Sequence, residues 1–395
     1  MKKATLIKNY VLCLVVFTLP MYTNLNNILL VSFFGLYIIE GRFLEKLENL
    51  KKNYRLLIPL FLIFLLSLLA ALNPVESIGT IFKHLEKNWG LLIIPITIIS
   101  CKEEYEKIWR NLFTALLWGC VITLLICYSN SIYEMIVGNE PLHYFWRYRH
   151  LNHQFTNIAD THPAYLGLFI VTSIAYLFME TAIKKWMKLI LVIFFLLSLM
   201  QLASRMAIIS AAFLVFVFLC SKIKRHWKEI AIGAGVLLVV GVLFLNIASS
   251  FMKERLISFE NLENDERISR YKISYDIFKE YPIFGIGYAN KDEVRINKYL
   301  EHDFKVAALE KYNAHNQFLE YLSVNGVIGG IIYLVVFGYL FFVAWNKKQY
   351  FFLCVIIFFF MANITESMLV RIKGIEFLAI TVSLLFILKK KKELA

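Results

Sequence analysis

The sequence predicts an all-α, polytopic integral membrane protein of about twelve transmembrane helices with one large, partly helical outer loop. Three observations carry that prediction. Of 395 residues, 59% are hydrophobic and only 18% charged, where a soluble domain carries about a quarter charged residues. Apolar runs of span length recur along the whole chain, giving a mean hydropathy of +0.62. The basic residues, finally, gather in alternate loops between those runs.

A bilayer core about 30 Å thick takes about 20 mostly apolar residues per helix, because backbone groups left unpaired in hydrocarbon are costly. Runs that qualify lie near 9–22, 26–40, 54–72, 85–100, 108–128, 163–179, 187–203, 205–220, 229–248, 326–345, 349–365 and 374–388. The first two are short and are separated by the polar stretch 23–27 after Pro20. The first has a basic start but is followed directly by further spans, so it reads as a span and not as a cleaved signal peptide. Twelve spans place both termini on one side.

Charge tests the count, because an error of one span would reverse the sign of every later loop. The segments at 2–8, 42–55, 102–110, 184–188, 222–228, 347–348 and 389–392 hold 24 basic residues, and with their flanks they hold nine acids. That side, at +15, is the expected cytoplasm; the remainder carries −2. The formal charge of +13 therefore describes sidedness. It gives no reason to expect nucleic acid, whose binders cluster cations on a polar face. The six cysteines lie in or beside apolar runs without paired spacing, so they read as packing residues, with neither disulfides nor a metal site.

The chain divides by sidedness into spans one to nine (1–248), the large periplasmic loop (249–325), and spans ten to twelve with a basic tail (326–395). The loop is too long for a plain connection and too short to bury a large core of its own, so it should pack back on the spans. Within it, Asn264-Asp265 can cap a helix from about 266 to Tyr281 that carries Ile268, Tyr271, Tyr275 and Phe278 at three- and four-residue spacing. Pro282 ends that helix, and Pro-Ile-Phe-Gly-Ile-Gly at 282–287 reads as a turn, two glycines allowing backbone angles that other residues avoid. A second helix is expected to start near Asn313 and run through His315 to Asn325-Gly326, where the tenth span begins.

Few residues in this apolar chain can carry chemistry. Arg205, in Leu-Ala-Ser-Arg-Met-Ala, sits between two apolar runs with almost no loop. A cation there either faces an anion or a cavity, or snorkels to the interface. Arg267 and Arg270 lie one turn apart on the loop helix, a spacing that equally describes a solvated face. His315-Asn316 places an imidazole able to take a proton near neutral pH at the outer membrane surface, although a lone histidine also serves structure. Glu366 follows the eleventh span with Arg371 nearby, and a simple interfacial pair would explain it as well. The other outer loop, near 129–161, interleaves His143, Arg147, Arg149, His150 and His153 with aromatic residues and leads into His162-Pro163. His150 and His153 have the spacing of a helical metal pair but lack a placed third ligand. No P-loop, dinucleotide fingerprint or Asp-x-Asp site occurs in the cytoplasmic loops, which argues against ATP or nucleotide sugars as substrates.

Taken in order, Ser-Arg between spans, Arg-x3-Tyr in a large outer loop, Pro-Ile-Phe-Gly-Ile-Gly, and His-Asn-x-Phe-Leu-Glu-Tyr-Leu-Ser-Val-Asn-Gly-Val-Ile-Gly resemble the O-antigen ligase and O-antigen polymerase superfamily. The resemblance covers about 200–335. It implies a GT-C-like inner-membrane enzyme of lipopolysaccharide biosynthesis. Such an enzyme moves a glycan from undecaprenyl diphosphate to an acceptor at the periplasmic face, without metal or other cofactor. For a ligase the acceptor is the lipid A core sugar; for a polymerase it is another lipid-linked repeat.

Residue by residue, the resemblance assigns Arg205 and Arg267 to the diphosphate and His315 to the acceptor hydroxyl. Arg270, Asn316, Glu366 and His162 join them as substrate-binding positions, Glu366 on a weaker match and His162 as part of a common start to the sixth span. Tyr271 stands where many members have Trp. The ligase is favoured over the polymerase by the His-Asn helix and by Glu366. A transporter would account for twelve spans and an arginine between them, but not for polar residues concentrated in one loop, and the chain lacks paired broken spans in two similar halves.

Overall fold

The computed structural model describes residues 2–73, 78–180, 183–217 and 266–390. The expected ninth span (229–248), the end of the eighth, the stretch 249–265 with its Asn264-Asp265 cap, and Lys391-Lys392 lie outside the described residues. Among the described residues every regular element is helical.

Three helices among the described residues are long and apolar enough to cross a bilayer, Lys102–Val137, Lys185–Leu202 and Gln317–Asn346. Two bent pairs pass the same test together: Thr23–Ile39 with Phe43–Leu56 (109°), and Tyr148–Ala159 with Pro163–Met179 (83°). Ile58–Ala71, Gly90–Ser100, Arg205–Val217 and Tyr350–Thr365 are shorter apolar helices. The expected 85–100 span is shorter in the structure, because the amphipathic helix Ile78–Glu86 ends before Gly90–Ser100 begins. The first bend falls at Gly41 and Arg42, both at positive φ.

The chain forms two compact units. The first draws on 1–16, 27–112 and 261–395, the second on 17–26 and 113–260. In the first unit, Gly90–Ser100 packs along Ile372–Ile387, and Gln317–Asn346 packs against Tyr350–Thr365, Glu266–Glu280 and Ile58–Ala71. These apolar helices bury Phe337, Phe351, Phe352 and Phe358 almost completely. At one end of this unit, Lys8 reaches Glu40 (2.8 Å) and Glu104 (3.0 Å), Lys46 reaches Glu40 (3.0 Å) and Arg42 reaches Glu104 (2.7 Å). Some of the basic residues counted for sidedness are thus internal ion-pair partners.

The loop residues 266–316 do pack back on apolar helices. Helix Glu266–Glu280 has nearly the expected bounds, and Gly285 and Gly287 both take φ +67 in the expected turn. That turn is stitched to the end of Ile58–Ala71: Tyr288 N–H donates to the Ala70 carbonyl (2.8 Å), and the Asn73 amide donates to the Gly285 carbonyl (3.2 Å). A helix end leaves carbonyls without partners, and the Tyr288 N–H supplies one of them. Two further helices, Lys291–Glu301 and Lys305–Leu309, enclose a small core of Ile273, Ile277, Ile286, Tyr299 and Ala307. The second unit centres on Pro163–Met179 packed against Lys185–Leu202.

Candidate functional site

His315 lies outside a helix, in contrast to the expected helix running through it. The Asn316 side chain accepts the Leu319 N–H (3.0 Å) and so caps a helix that begins at Gln317, while the Asn313 side chain accepts the His315 N–H (2.9 Å). Asparagines prefer such capping geometry to a helix interior. His315 is left at φ +49, a left-handed conformation that costs a non-glycine residue energy.

A buried carboxylate braces this turn. Glu320, one turn into the helix, accepts the Ala314 N–H (2.9 Å) and pairs with Lys291 (2.7 Å) and Arg295 (3.1 Å) from the loop. Arg295 is itself only 3% exposed and also donates to the Ser323 hydroxyl (3.0 Å). A charge at that depth needs such pairing, since an isolated one would be strongly disfavoured.

Glu366 ends helix Tyr350–Thr365 in extended conformation and brings one carboxylate oxygen 3.2 Å from His315 Nδ1. The two segments are tied together through one carbonyl: the Asn316 amide (3.1 Å) and the Tyr271 hydroxyl (2.9 Å) both donate to the Ile364 oxygen, and Tyr271 also reaches the His315 carbonyl (3.3 Å). Tyr271 therefore fixes the relative position of His315 and Glu366. Lys298 spans the loop in the same unit, paired with Glu280 (2.6 Å) and Glu301 (3.0 Å), whose hydrogen bonds raise its pKa above the usual lysine value.

The two loop arginines part company. Arg270 is buried, its guanidinium 4.1 Å from the Tyr312 ring centre and paired with Glu266 (2.7 Å). This is packing that a solvated face would not have. Arg267 is half-buried on the same helix as Tyr271. In the second unit, Arg205 is the first residue of Arg205–Val217, just after Ala203 at positive φ. His162 caps Pro163–Met179, its Nδ1 accepting the Ala164 N–H (3.2 Å), and its ring lies edge-on to His153 at 4.3 Å. His150 is buried with Nε2 3.0 Å from Glu140, whose pKa that contact lowers, Arg149 adding to the effect. Among the described residues no group of three or more His, Cys, Asp or Glu could hold a metal ion.

Sequence reasoning did not anticipate Glu320, Lys291 or Arg295. Glu320 stood inside the quoted His-Asn motif, where an acid one turn into an apolar helix was the available signal.

The helices and the polar cluster at the head of Gln317–Asn346 define a helical membrane protein with a histidine–carboxylate site in its loop-bearing unit. Residues 189–334 match the family model described as O-antigen ligase. That match agrees with the resemblance carried by the motifs. The match contains Arg205, Arg267, Arg270, His315 and Asn316, while His162 and Glu366 fall outside it. No curated protein matches the chain.

Proposed function

We propose that the protein is a metal-independent, inverting glycosyltransferase of the bacterial inner membrane, transferring a glycan from undecaprenyl diphosphate to a lipid A core sugar at the periplasmic face. The observation that carries the reading is the 3.2 Å approach of Glu366 to His315 Nδ1, held by Tyr271 and Asn316. The family match supports glycan transfer in general. A carboxylate that close to the ring favours the charged imidazole that forms when Nε2 takes a proton.

In this reading Nε2 takes the proton of the acceptor hydroxyl as its oxygen bonds to the anomeric carbon. The bond from that carbon to the diphosphate oxygen breaks, its electron pair leaves with undecaprenyl diphosphate, and the configuration inverts. Negative charge grows on the leaving oxygen, where the Arg267 guanidinium would meet it with paired donors. Arg205 is assigned to the same diphosphate by its motif alone. Twelve spans with both termini cytoplasmic and a periplasmic 249–325 loop complete the topology we propose.

The test is the lipopolysaccharide profile of a deletion strain carrying wild-type protein or His315→Ala at equal membrane abundance. The expected outcome is loss of polymer from the lipid A core, with polymer retained on the lipid carrier, in the deletion and in His315→Ala alike. Core bearing a single repeat would instead identify a polymerase, and an unchanged profile would refute glycan transfer to this acceptor.

A further inference from the structure

Behind the turn that presents His315, the first unit contains a cavity of 510 Å³ that the proposed transfer step does not use. Its size is that of ligand pockets. Gln317 and Glu320 form one wall, so the cavity and the His315 turn share the head of one helix. The opposite wall is helix Ile78–Glu86 and the residues that follow it, which contribute Lys83, His84 and Lys87.

The lining carries Lys83, Lys87 and Lys291 against Glu86, Asp292 and Glu320, and two cations outside it, Arg295 and Lys311, pair with two of those carboxylates and tip the balance to positive. Lys291 is committed to Glu320 (2.7 Å), with Arg295 behind it, and Asp292 at the rim pairs with Lys311 (3.4 Å). Two ammonium groups, Lys83 and Lys87, then stand against the single carboxylate of Glu86. The remaining lining is amide and phenol: Asn88, Asn325, Tyr321 and Tyr288, the last stacked with His84 at 5.0 Å. Amides donate to and accept from hydroxyls, carboxylates accept from them, aromatic rings cover the apolar faces of sugar rings, and ammonium groups favour a phosphate or carboxylate on the sugar. On the same helix Ile78 (74% exposed) and Phe82 (57%) lie one turn apart, with Trp89 (40%) beyond. An exposed apolar stripe beside lysines suits a helix lying in the membrane interface.

We infer that the cavity between helix Ile78–Glu86 and the head of helix Gln317–Asn346 binds the anionic saccharide of a membrane glycolipid, at a subsite separate from His315. The inference rests on the proposed transfer reaction for the origin of that saccharide. A phosphorylated sugar on the acceptor and an acidic sugar in the donor glycan share the chemistry the cavity recognises.

Purified protein in nanodiscs is titrated with two probes from the host: the oligosaccharide released by mild acid from its core glycolipid, and that released from its polyprenyl-linked pool. One of the two should bind, which names the source. Binding should fall at least tenfold in the Lys83→Gln/Lys87→Gln variant, persist in Lys83→Arg/Lys87→Arg, and persist in His315→Ala. Equal binding by the glutamine variant, or no binding of either probe by wild type, overturns the inference. Loss of binding in His315→Ala overturns the separate subsite. Saccharide binding by a protein whose deletion leaves the lipopolysaccharide profile unchanged would refute the transfer reading and leave the cavity's ligand standing.

Discussion

His315 is held in a conformation it would not choose, and each restraint on it comes from a different stretch of chain: Asn313, Glu320 through Ala314, Tyr271, and Glu366. Strained residues persist where the surroundings over-determine them. Glu366→Gln should lower kcat by about 10- to 100-fold, because the neutral amide orients the imidazole without stabilising its charged form; transfer assays with lipid-linked donor would measure it. Arg267→Lys should also be impaired, since a point charge does not reproduce the guanidinium fork. Undiminished transfer there would make Arg267 a surface residue. Elsewhere, Glu140 has a lowered pKa beside His150 and Arg149. A carboxylate whose folded pKa is depressed stabilises the fold above its unfolded value of about 4.3, and that contribution is lost as pH falls through the folded pKa. The thermal midpoint should therefore drop below about pH 4.5, and Glu140→Gln should flatten that part of the profile. At this scale His315 and Asn316 could be singled out from their motif, and the structure sets them beside Glu366 and Ile364. The role of Tyr271 was not legible, because a hydrogen bond to a carbonyl 93 positions away leaves no local trace.

At the scale of the element, the loop helix and the glycine turn were legible from spacing and from Pro282, whereas helices Lys291–Glu301 and Lys305–Leu309 were not. Lys291–Glu301 is rich in charge, and the face it buries runs through Arg295 and Tyr299, a cation paired with Glu320 and a phenol that a pattern of aliphatic residues does not mark. The break inside Gln317–Asn346 is equally specific. Gly326 takes φ +65 and ψ −158 while Val327 N–H donates to the Pro282 carbonyl (2.8 Å), so the first nine residues hold the site and the rest continue as the apolar rod. Gly287 offers the cleanest test. A Cβ there would stand 1.4 Å from the Asn73 carbonyl oxygen, on a backbone already at positive φ. Gly287→Ala should cost at least about 2 kcal/mol, counting the left-handed penalty and the displaced backbone. Gly338→Ala, in the same unit with nothing within 4 Å of the added carbon, should be neutral or slightly stabilising. Thermal unfolding in detergent compares the two.

For the whole molecule, hydropathy conveys an all-helical membrane chain but overstates how straight its spans are. The helix bent at Gly41 and Arg42 and the short Gly90–Ser100 are apolar in composition, and their breaks come from two residues at positive φ and from the end of an amphipathic helix. The proposed sidedness is open to direct measurement. In a variant lacking the native cysteines, a single cysteine at Lys298 should react with an impermeant maleimide in intact spheroplasts, and one at Lys52 only after the membrane is opened. Labelling of both from the same side would refute the twelve-span count.

The stitches between the end of Ile58–Ala71 and residues 285–325 also bear on how the protein is made. The Ala70 carbonyl meets Tyr288, and the Leu66 carbonyl meets the Asn325 side chain (2.7 Å), a partner 259 residues later in the chain. During synthesis the third apolar helix must therefore wait, with polar groups uncovered at its end, until most of the polypeptide has left the ribosome. A nascent chain stalled near residue 280 would carry that defect as a mark for membrane proteases, and full-length chains would lose it only when the glycine turn docks.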